Sequence, residues 1–518
     1  MALGDSLILA DLSRLQAAVR PSAQACIFQD RSLTFSELDS RSNAVAHGLL
    51  SEGLRRGERV AILSKNSDAF LEIAVGVLKA GGVLVPLNWR LAPPEIAFIL
   101  SHGKANMMFV EADLLPLVGD ARKDLRKIIA IGPAVPGVED YATWRDRQYA
   151  HPPSVPLGVD DVVLQMYTSG TTGLPKGVQL TNRNYGASFD LMESLPFQTI
   201  DPGMTLFAPA PFFHVNGINA AFRSLYAGAR LLTVDQFRPA EVVALFERER
   251  VNRATLAPAM IQMCLDVPGV AERDYSTLKA ITYGGSPISE RVLVRAAEVF
   301  GCRFAQGYGM TETSGAVAML SPEDHDKSAD KLLSCGRPIP GVDVRVVDST
   351  GTVCAPRQIG EVTVRGTVVT RGYWQDEAAT ARTIADGWLH TGDAGYFDED
   401  GYLYIHDRIK EMIVSGAENI YPAEVENALF HHPDVADAAV IGVPDERWGE
   451  AVKAIVVAKP GRTPSPRDLI ETARQHIAGY KLPKSVDFVS AIPRNAAGKI
   501  LRRELRKPYW ENAGRNVN

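Results

Sequence analysis

The amino-acid sequence predicts an α/β protein with more than one domain. Apolar runs with helical spacing alternate with short β-rich runs through most of the chain, and this alternation is typical of sheets layered with helices. The chain has 518 residues, whereas a single hydrophobic core rarely grows beyond about 300 residues. Its 46% hydrophobic and 22% charged residues are ordinary for a globular protein.

The first third of the chain shows the alternation most clearly. Apolar spacing predicts helices over residues 39–50 and 68–79 and buried strands over residues 59–63, 82–86 and 161–167. Residues 122–156 are richer in Pro and charge and have no clear period. We therefore predict a surface excursion there.

The last third has a different pattern. From about Arg337, apolar and polar residues alternate, which predicts half-exposed strands over residues 342–347 and 360–365. A smaller unit of roughly 110 residues, the usual size of one domain, follows Asp407. In and just before it, the pattern predicts strands over residues 401–406, 411–415, 436–442 and 451–458 and helices over residues 422–430 and 466–478.

Composition excludes several classes of protein. The formal charge of −6 argues against nucleic acid as the main partner. The five cysteines form no Cys-x-x-Cys pair, and no zinc-ligand spacing or Gly-x-Ser-x-Gly elbow is present. The N-terminus lacks a basic signal region, and the longest apolar stretch, residues 70–87, is interrupted by Glu72 and Lys79. We therefore expect a soluble cytoplasmic protein without a transmembrane segment.

The most informative motif is Tyr-Thr-Ser-Gly-Thr-Thr-Gly-Leu-Pro-Lys-Gly at residues 167–177. Its glycines let backbone N–H groups turn toward one point, where they bind anions. The hydroxyls and Lys176 add hydrogen-bond donors and a positive charge. The loop therefore predicts a polyphosphate site, although it has neither the Walker spacing nor the dinucleotide-binding spacing.

Further motifs follow along the chain. Gly-Tyr-Gly-Met-Thr-Glu at residues 307–312 places a carboxylate beside a hydroxyl, which suits Mg²⁺. Pro-Phe-Phe-His-Val-Asn-Gly at residues 211–217 places an imidazole among aromatic rings, where a packed core histidine is the usual case. The others are Tyr-Gly-Gly-Ser-Pro at 283–287, Thr-Gly-Asp at 391–393, Asp-Arg-Ile-Lys at 407–410, Ser-Gly-Ala-Glu-Asn at 415–419, the segment 444–450 and a late Gly-Lys at 498–499.

These motifs and their order resemble those of the adenylate-forming superfamily, and of its AMP-forming acyl-CoA synthetases in particular. The resemblance covers essentially the whole chain. It implies an N-terminal ATP- and acid-binding domain, residues 1–407, of two helix-flanked sheets and a distorted β-barrel. It also implies a small mobile α+β lid, residues 408–518, that is hinged near Lys410.

The resemblance further implies roles for particular residues. Lys499, Lys176, Thr311 and Glu312 would be catalytic, and Thr168 and Glu312 would lie at the metal. Phosphate, nucleotide and CoA binding would fall to Thr168, Ser169, Gly170, Thr171, Thr172, Gly173, Gly285, Ser286, Gln306, Gly307, Tyr308, Asp393, Arg408, Gly416 and Trp448. Ala417 stands where the family commonly has a second glycine, and its methyl group could narrow the tunnel for pantetheine.

The implied reaction joins a carboxylic acid to CoA at the expense of ATP. Mg·ATP and the acid would give acyl-AMP and pyrophosphate, and CoA would then displace AMP. The expected pocket residues are His214, Val215, Asn216, Phe222, Tyr283, Gly284, Gly307 and Met310. They carry no obvious countercharge, which favours an apolar monocarboxylate, either fatty or aromatic/cyclic.

Two alternatives remain open at the level of the sequence. The protein could deliver its acyl group to a carrier protein or stop at the adenylate. It could also be a non-catalytic nucleotide-binding regulator, although Lys176, Glu312 and Lys499 together argue against that. Amino acids are poor candidate substrates, because no aspartate follows residues 211–217 to hold an α-amino group. The oligomeric state is open, a homodimer being one option.

Overall fold

The computed structural model describes residues 6–168, 175–285, 288, 290–325, 329–408, 411–415, 418–445, 449–494 and 500–510. Its strands, in chain order, are β1 (Gln24–Phe28), β2 (Arg31–Thr34), β3 (Arg59–Leu63), β4 (Val83–Pro86), β5 (Ala105–Glu111), β6 (Lys127–Ile131), β7 (Glu139–Asp140), β8 (Val162–Thr168), β9 (Lys176–Thr181), β10 (Thr205–Phe207), β11 (Arg230–Thr233), β12 (Arg253–Leu256), β13 (Ala280–Gly284), β14 (Arg303–Met310), β15 (Gly315–Leu320), β16 (Arg337–Pro338), β17 (Asp343–Val347), β18 (Gly360–Arg365), β19 (Gly372–Tyr373), β20 (Ile384–Ala385), β21 (Trp388–Phe397), β22 (Leu403–Arg408), β23 (Ile413–Ser415), β24 (Glu418–Ile420), β25 (Val435–Asp445), β26 (Gly449–Ala458) and β27 (Ser485–Phe488).

The helices lie between these strands. They are α1 (Leu12–Val19), α2 (Phe35–Ser51), α3 (Asp68–Lys79), α4 (Pro93–Gly103), α5 (Tyr141–Asp146), α6 (Asn182–Glu193), α7 (Val215–Ala227), α8 (Pro239–Arg248), α9 (Pro258–Leu265), α10 (Glu290–Phe300), α11 (Pro322–His325), α12 (Ala329–Leu332), α13 (Glu377–Thr383), α14 (Pro422–Phe430), α15 (Pro466–Arg474) and α16 (Arg502–Trp510). Every helix in the described part of the chain is too short or too polar to cross a membrane.

Two large sheets form most of the N-terminal region. One has nine strands in the order β16-β15-β14-β13-β12-β10-β11-β1-β2, and the other has eight in the order β19-β9-β8-β4-β3-β5-β6-β7. The largest core cluster joins side chains of both sheets to those of the intervening helices, including Phe70 on α3, Tyr185 on α6 and Phe222 on α7. Helices α6 and α7 are therefore packed between sheets rather than against solvent.

Two smaller sheets follow in the chain. In the sheet β17-β18-β21-β20, β22 also pairs with β21. This sheet occupies the part of the N-terminal region left for the predicted distorted barrel. The last sheet, β24-β23-β26-β25 with β27 paired to β26, has its own core around Ile413, Leu429 and Val456. The predicted fold class is thus confirmed: a large α/β N-terminal region followed by a small α+β unit.

Most of the predicted elements form close to their expected bounds. The helix expected at residues 39–50 begins earlier, at Phe35, because a capping box fixes its start: Thr34 Oγ1 accepts from Glu37 N, and the Glu37 carboxylate accepts from Thr34 N. Helix α15, which was expected over residues 466–478, ends at Arg474.

The surface excursion predicted over residues 122–156 is wrong. Lys127–Ile131 forms β6, which pairs in parallel with β5, and β7 extends the same sheet at its edge. Trp144 on α5 is almost fully buried. The short apolar run Lys127–Ile131 stands among charged residues and shows no alternating pattern, so the sequence gives little sign of this strand.

Candidate active site

A hairpin holds the predicted phosphate loop. Antiparallel β8 and β9 flank it, and Thr168 lies directly opposite Lys176 in their register. Directly opposed residues of an antiparallel pair project their side chains from the same face. The two residues therefore flank the loop with their side chains on the same face.

Lys176 lies near Glu312, and Tyr373 stands between them. The Lys176 Nζ atom is 4.9 Å from the centroid of the Tyr373 ring. The Tyr373 hydroxyl donates a hydrogen bond of 3.0 Å to Glu312 Oε1. The structure thus brings together two residues that are far apart in sequence and adds Tyr373, which the sequence analysis missed.

A tight turn presents Glu312. β14 ends at Met310, Thr311–Thr313 form one 3₁₀ turn, and Ser314 takes a left-handed φ of 56°. The Thr313 hydroxyl donates to the Gly315 carbonyl at 2.7 Å, and Thr370 N donates to the Glu312 carbonyl at 2.7 Å. These bonds fix the backbone around Glu312, a residue that is only 6% exposed.

Asp393 is a second buried carboxylate near β14. The Tyr308 hydroxyl donates to Asp393 Oδ2 at 2.7 Å. Burial, reinforced by the negative charge of Asp393, raises the pKa of Tyr308 well above its usual value, so this hydroxyl keeps its proton. Asp393 lies opposite Arg408 in the pairing of β21 with β22. Three of the residues predicted to bind nucleotide therefore converge here.

A pair of glycines brings β13 close to β14. Gly284 lies opposite Gly307, and a Cβ atom on Gly284 would come within 2.5 Å of the Gly307 carbonyl oxygen. Tyr283 lies opposite Gln306. The side chain of Tyr283 lies on the other face of β13, in the core with Ile281, and its hydroxyl is 3.1 Å from His325 Nε2.

The side chains of Tyr283 and Phe222 lie in core clusters rather than in the predicted acid pocket. Tyr283 faces away from Gly284, because successive residues of a strand project to opposite faces. The Phe222 ring packs edge-on against Tyr185 in the main core, with ring centroids 5.7 Å apart. Position in a sequence motif does not indicate which face of a strand or helix a side chain occupies.

His214 stands at the start of α7, where Val215 and the exposed Asn216 follow it. Its Nε2 atom is buried and has no hydrogen-bond partner among the described residues. Burial, with a smaller effect from Arg90, lowers the pKa of His214 to about 4. The ring is therefore neutral at pH 7 and lies against Phe213, with centroids 4.5 Å apart.

Several predicted site residues lie outside the described residues, so the structure says nothing about them. They are Ser169, Gly170, Thr171, Thr172, Gly173, Ser286, Lys410, Gly416, Trp448 and Lys499. For Arg408 only the backbone is described. The roles assigned to all of these residues stay predictions.

Comparison with known proteins gives the class to which this fold and site belong. Residues 13–374 match the AMP-binding enzyme family, and residues 424–499 match the AMP-binding enzyme C-terminal domain. The chain belongs to the AMP-binding enzyme family. The resemblance inferred from the motifs is thereby confirmed.

Individual relatives are similar along nearly their whole length. The chain is 41% identical to a fatty acid–[acyl-carrier-protein] ligase of Streptomyces coeruleorubidus, with 98% of each chain covered. It is 38% identical to a feruloyl-CoA synthase of an Amycolatopsis species, with 95% of this chain and 97% of the relative covered. The solved structure of an anthranilate CoA ligase in complex with anthranoyl-AMP matches with a TM-score of 0.89 at 27% identity, with 97% of each chain covered.

Proposed function

We propose that the protein is an AMP-forming acid–CoA ligase. It converts a carboxylic acid, ATP and CoA into acyl-CoA, AMP and pyrophosphate by way of an acyl-adenylate. The observation that carries this proposal is the meeting of Lys176 and Glu312 at Tyr373, beside the glycine-rich hairpin of an AMP-binding enzyme. The named relatives support it, since they include a CoA synthase and a CoA ligase.

In the first half-reaction, a carboxylate oxygen attacks the α-phosphorus of ATP. The bond from that phosphorus to the bridging oxygen breaks, and pyrophosphate leaves. Both reactants are anions, so the site must offset their repulsion and align them for in-line attack. Lys176, Lys499 and the N–H groups of residues 169–173 supply the positive potential, with Thr311 near the reacting phosphate.

Mg²⁺ fits the donors at this site. Among the described residues, no group of three or more His, Cys, Asp or Glu side chains could hold a metal ion by itself. Glu312 and Thr168 supply oxygen donors, and Mg²⁺ commonly takes one or two carboxylates together with substrate phosphates. When bound, the ion would neutralise phosphate charge, while Tyr373 holds one oxygen of Glu312 in place.

We assign the nucleotide to the region where β14, beside β13, meets β21. Gly285, Ser286, Gln306 and Gly307 would surround the adenine, and Asp393 and Arg408 would bind the ribose. Tyr308 restrains Asp393 through its hydrogen bond of 2.7 Å. The acid would lie beyond, between His214, Val215 and Asn216 on one side and Gly284, Gly307 and Met310 on the other.

In the second half-reaction, the CoA sulfur attacks the acyl carbonyl carbon. The thiol proton is lost, the bond from carbon to the AMP oxygen breaks, and AMP leaves. We propose that residues 408–518 form a lid that turns about Lys410, so that Lys499 withdraws and the loop at Gly416 approaches. Trp448 would contact CoA. No protein nucleophile is required.

The test is a panel of fatty and aromatic acids with ATP and Mg²⁺. Exchange of labelled pyrophosphate into ATP reports the first half-reaction, and acyl-CoA with stoichiometric AMP reports the second. We expect both signals for at least one acid. Nucleotide binding without exchange for any acid would favour a non-catalytic regulator.

One observation favours a second acceptor. The relative that is 41% identical to this chain is named for transfer to an acyl carrier protein. The same panel is therefore run with CoA and with a phosphopantetheinylated carrier protein in parallel. Exchange accompanied by thioester on the carrier alone would replace CoA as the acceptor and leave the adenylation chemistry unchanged.

The cysteines support a location in a reducing compartment. Cys26, Cys264, Cys302, Cys335 and Cys354 are all free thiols. Free, mostly buried thiols are typical of proteins made in the cytoplasm. We therefore propose a cytoplasmic location.

A further inference from the structure

Helix α7 has a polar stripe that does not face solvent. Ile218, Ala221, Phe222 and Leu225 form its core-facing side. Asn216, Asn219 and Arg223 follow one another at helical spacing on a different side. Polar stripes of amphipathic helices normally lie in water, yet only Asn216 is exposed, and the Arg223 side chain is just 13% exposed.

This stripe faces the same surface of the nine-stranded sheet as the glycine pair. Asn219 Nδ2 donates to the Ser314 carbonyl at 2.8 Å. Arg223 donates to the carbonyl of Gln198, and Gln198 Nε2 donates to Thr282 Oγ1 at 3.2 Å. Thr282 stands two residues before Gly284, so the two residues project from the same face of β13. These contacts connect Arg223 to the face of β13 that would border the proposed acid pocket, and its position on α7 is far from His214.

Two atoms of the stripe are left without partners. Asn219 Oδ1 and Arg223 Nε are both buried, and neither has a hydrogen-bond partner within the part of the chain that the structure describes. The nearest carboxylate to Arg223, that of Glu193, is 3.5 Å from Nη2 rather than at Nε. Buried polar atoms are nearly always satisfied, so these two point to a ligand: Arg223 Nε needs an acceptor, and Asn219 Oδ1 needs a donor such as a hydroxyl.

The charge at this position supports the same interpretation. Burial lowers the pKa of Arg223 to about 10, an effect that Glu193 offsets only in part and that the nearby Arg253 increases. Arg253 also has a buried Nε atom without a partner among the described residues. An oxygen acceptor would relieve this local excess of donors, whereas the methyl end of an alkyl chain would not.

We propose that the acid activated by this protein carries a second, oxygen-bearing polar group at the end far from its carboxylate, and that Arg223 donates a hydrogen bond to that group. The proposal rests on the proposed function and narrows its substrate class to acids with an apolar body and a polar end. His214 and Arg223 are separated by about 13 Å along the helix axis, at about 1.5 Å per residue. That separation sets the approximate length of the acid.

The test compares acids that differ only at the far end. A linear acid, its ω-hydroxy analogue and the α,ω-diacid of the same length are assayed over a series of lengths for pyrophosphate release. Their non-hydrolysable acyl-sulfamoyl adenosines are assayed for binding. We expect one length at which an oxygen-ended acid exceeds the methyl-ended acid about 10- to 100-fold in kcat/KM and in affinity, the range for a hydrogen bond to a charged group.

Substitutions then locate the preference. Arg223→Met, which keeps the apolar stem, should reduce the ratio between the two acids to about 1, and Arg223→Lys should restore part of it. Arg230→Met is the matched control, because Arg230 lies on β11 and donates to Thr205 and to the Glu249 carbonyl, away from α7. The control should keep the wild-type ratio.

The possible outcomes separate this proposal from the function on which it rests. Failure to release pyrophosphate with any acid would contradict the ligase itself. Turnover with equal kcat/KM for methyl-ended and oxygen-ended acids at every length would overturn the role of Arg223 alone. A preference that persists in Arg223→Met would do the same, and the wild-type comparison decides the matter even if that variant fails to fold.

Discussion

At the scale of single residues, the structure adds contacts that spacing in the sequence does not reveal. Lys176 and Glu312 could be picked out because each stands in a recognisable motif. Tyr373 could not, because it lies in a short edge strand and reaches Glu312 only through the pairing of β19 with β9. Arg223 was missed for another reason: a charged residue on a helix is by default expected in water.

Tyr373 is expected to act as a positioning residue for Glu312. Tyr373→Phe removes the hydroxyl that holds Glu312 Oε1 but keeps the ring beside Lys176. The Mg²⁺ concentration for half-maximal binding of a non-hydrolysable ATP analogue should rise about 10-fold, in keeping with one lost hydrogen bond to a charged group. Binding measured calorimetrically without Mg²⁺ should change little.

The exposed Tyr149 provides the control for that measurement, since Tyr149→Phe also removes one tyrosine hydroxyl. An unchanged Mg²⁺ dependence in Tyr373→Phe would show that Glu312 needs no support from this hydroxyl.

At the scale of elements, the sequence predicts strongly periodic or uniformly buried runs well. The bounds of β3, α3 and α14 are those expected from apolar spacing. Prediction failed for β6, because a short strand beside charged residues carries little pattern. It also failed for the side-chain directions of Tyr283 and Phe222, because a motif gives a position in the chain but not the face on which that position lies.

The close approach of β13 and β14 gives a prediction about stability. Gly284→Ala would place its Cβ atom 2.5 Å from the Gly307 carbonyl oxygen, so the two strands must separate. We expect a loss of about 1–3 kcal/mol in the free energy of unfolding, typical of overpacking, together with weaker adenylation. Urea unfolding and pyrophosphate exchange measure the two effects.

Gly158→Ala is the comparison for this variant. The nearest atom to its added Cβ would be 3.5 Å away, at the end of the Arg56 side chain. Equal stability of the two variants would contradict the importance of the close strand contact.

At the scale of the whole molecule, the chain passes from one sheet to another near the proposed hinge. The sheet of β17, β18, β20, β21 and β22 ends at Arg408, and the next strand, β23, joins the last sheet. The domain boundary at residue 407 and the hinge at Lys410 remain predictions, but the change of sheet falls between Arg408 and Ile413. The sequence could suggest this division because its apolar pattern changes after Asp407, close to the point where the chain leaves one sheet and enters the next.

A pair of variants tests the division. Lys499→Ala should abolish pyrophosphate exchange yet largely preserve thioester formation from supplied acyl-AMP, because we assign the lysine to the first half-reaction alone. Lys410→Pro should show the reverse, since proline fixes the hinge dihedral. Equal loss of both half-reactions in Lys410→Pro would contradict a hinge, and unchanged exchange in Lys499→Ala would contradict the role of Lys499.

The independent core of the last sheet has a practical consequence. The Nη2 atom of Arg502 donates to both carboxylate oxygens of Glu426. Ile500 pairs with Arg494, and these two residues flank the segment that carries Lys499. The two flanking residues thus belong to the small unit, whereas Gly284, Gly307 and Arg223 belong to the large one. Exchanging residues 411–518 with those of a relative would create a hybrid enzyme that keeps one parent's choice of acid and takes the other's choice of thiol.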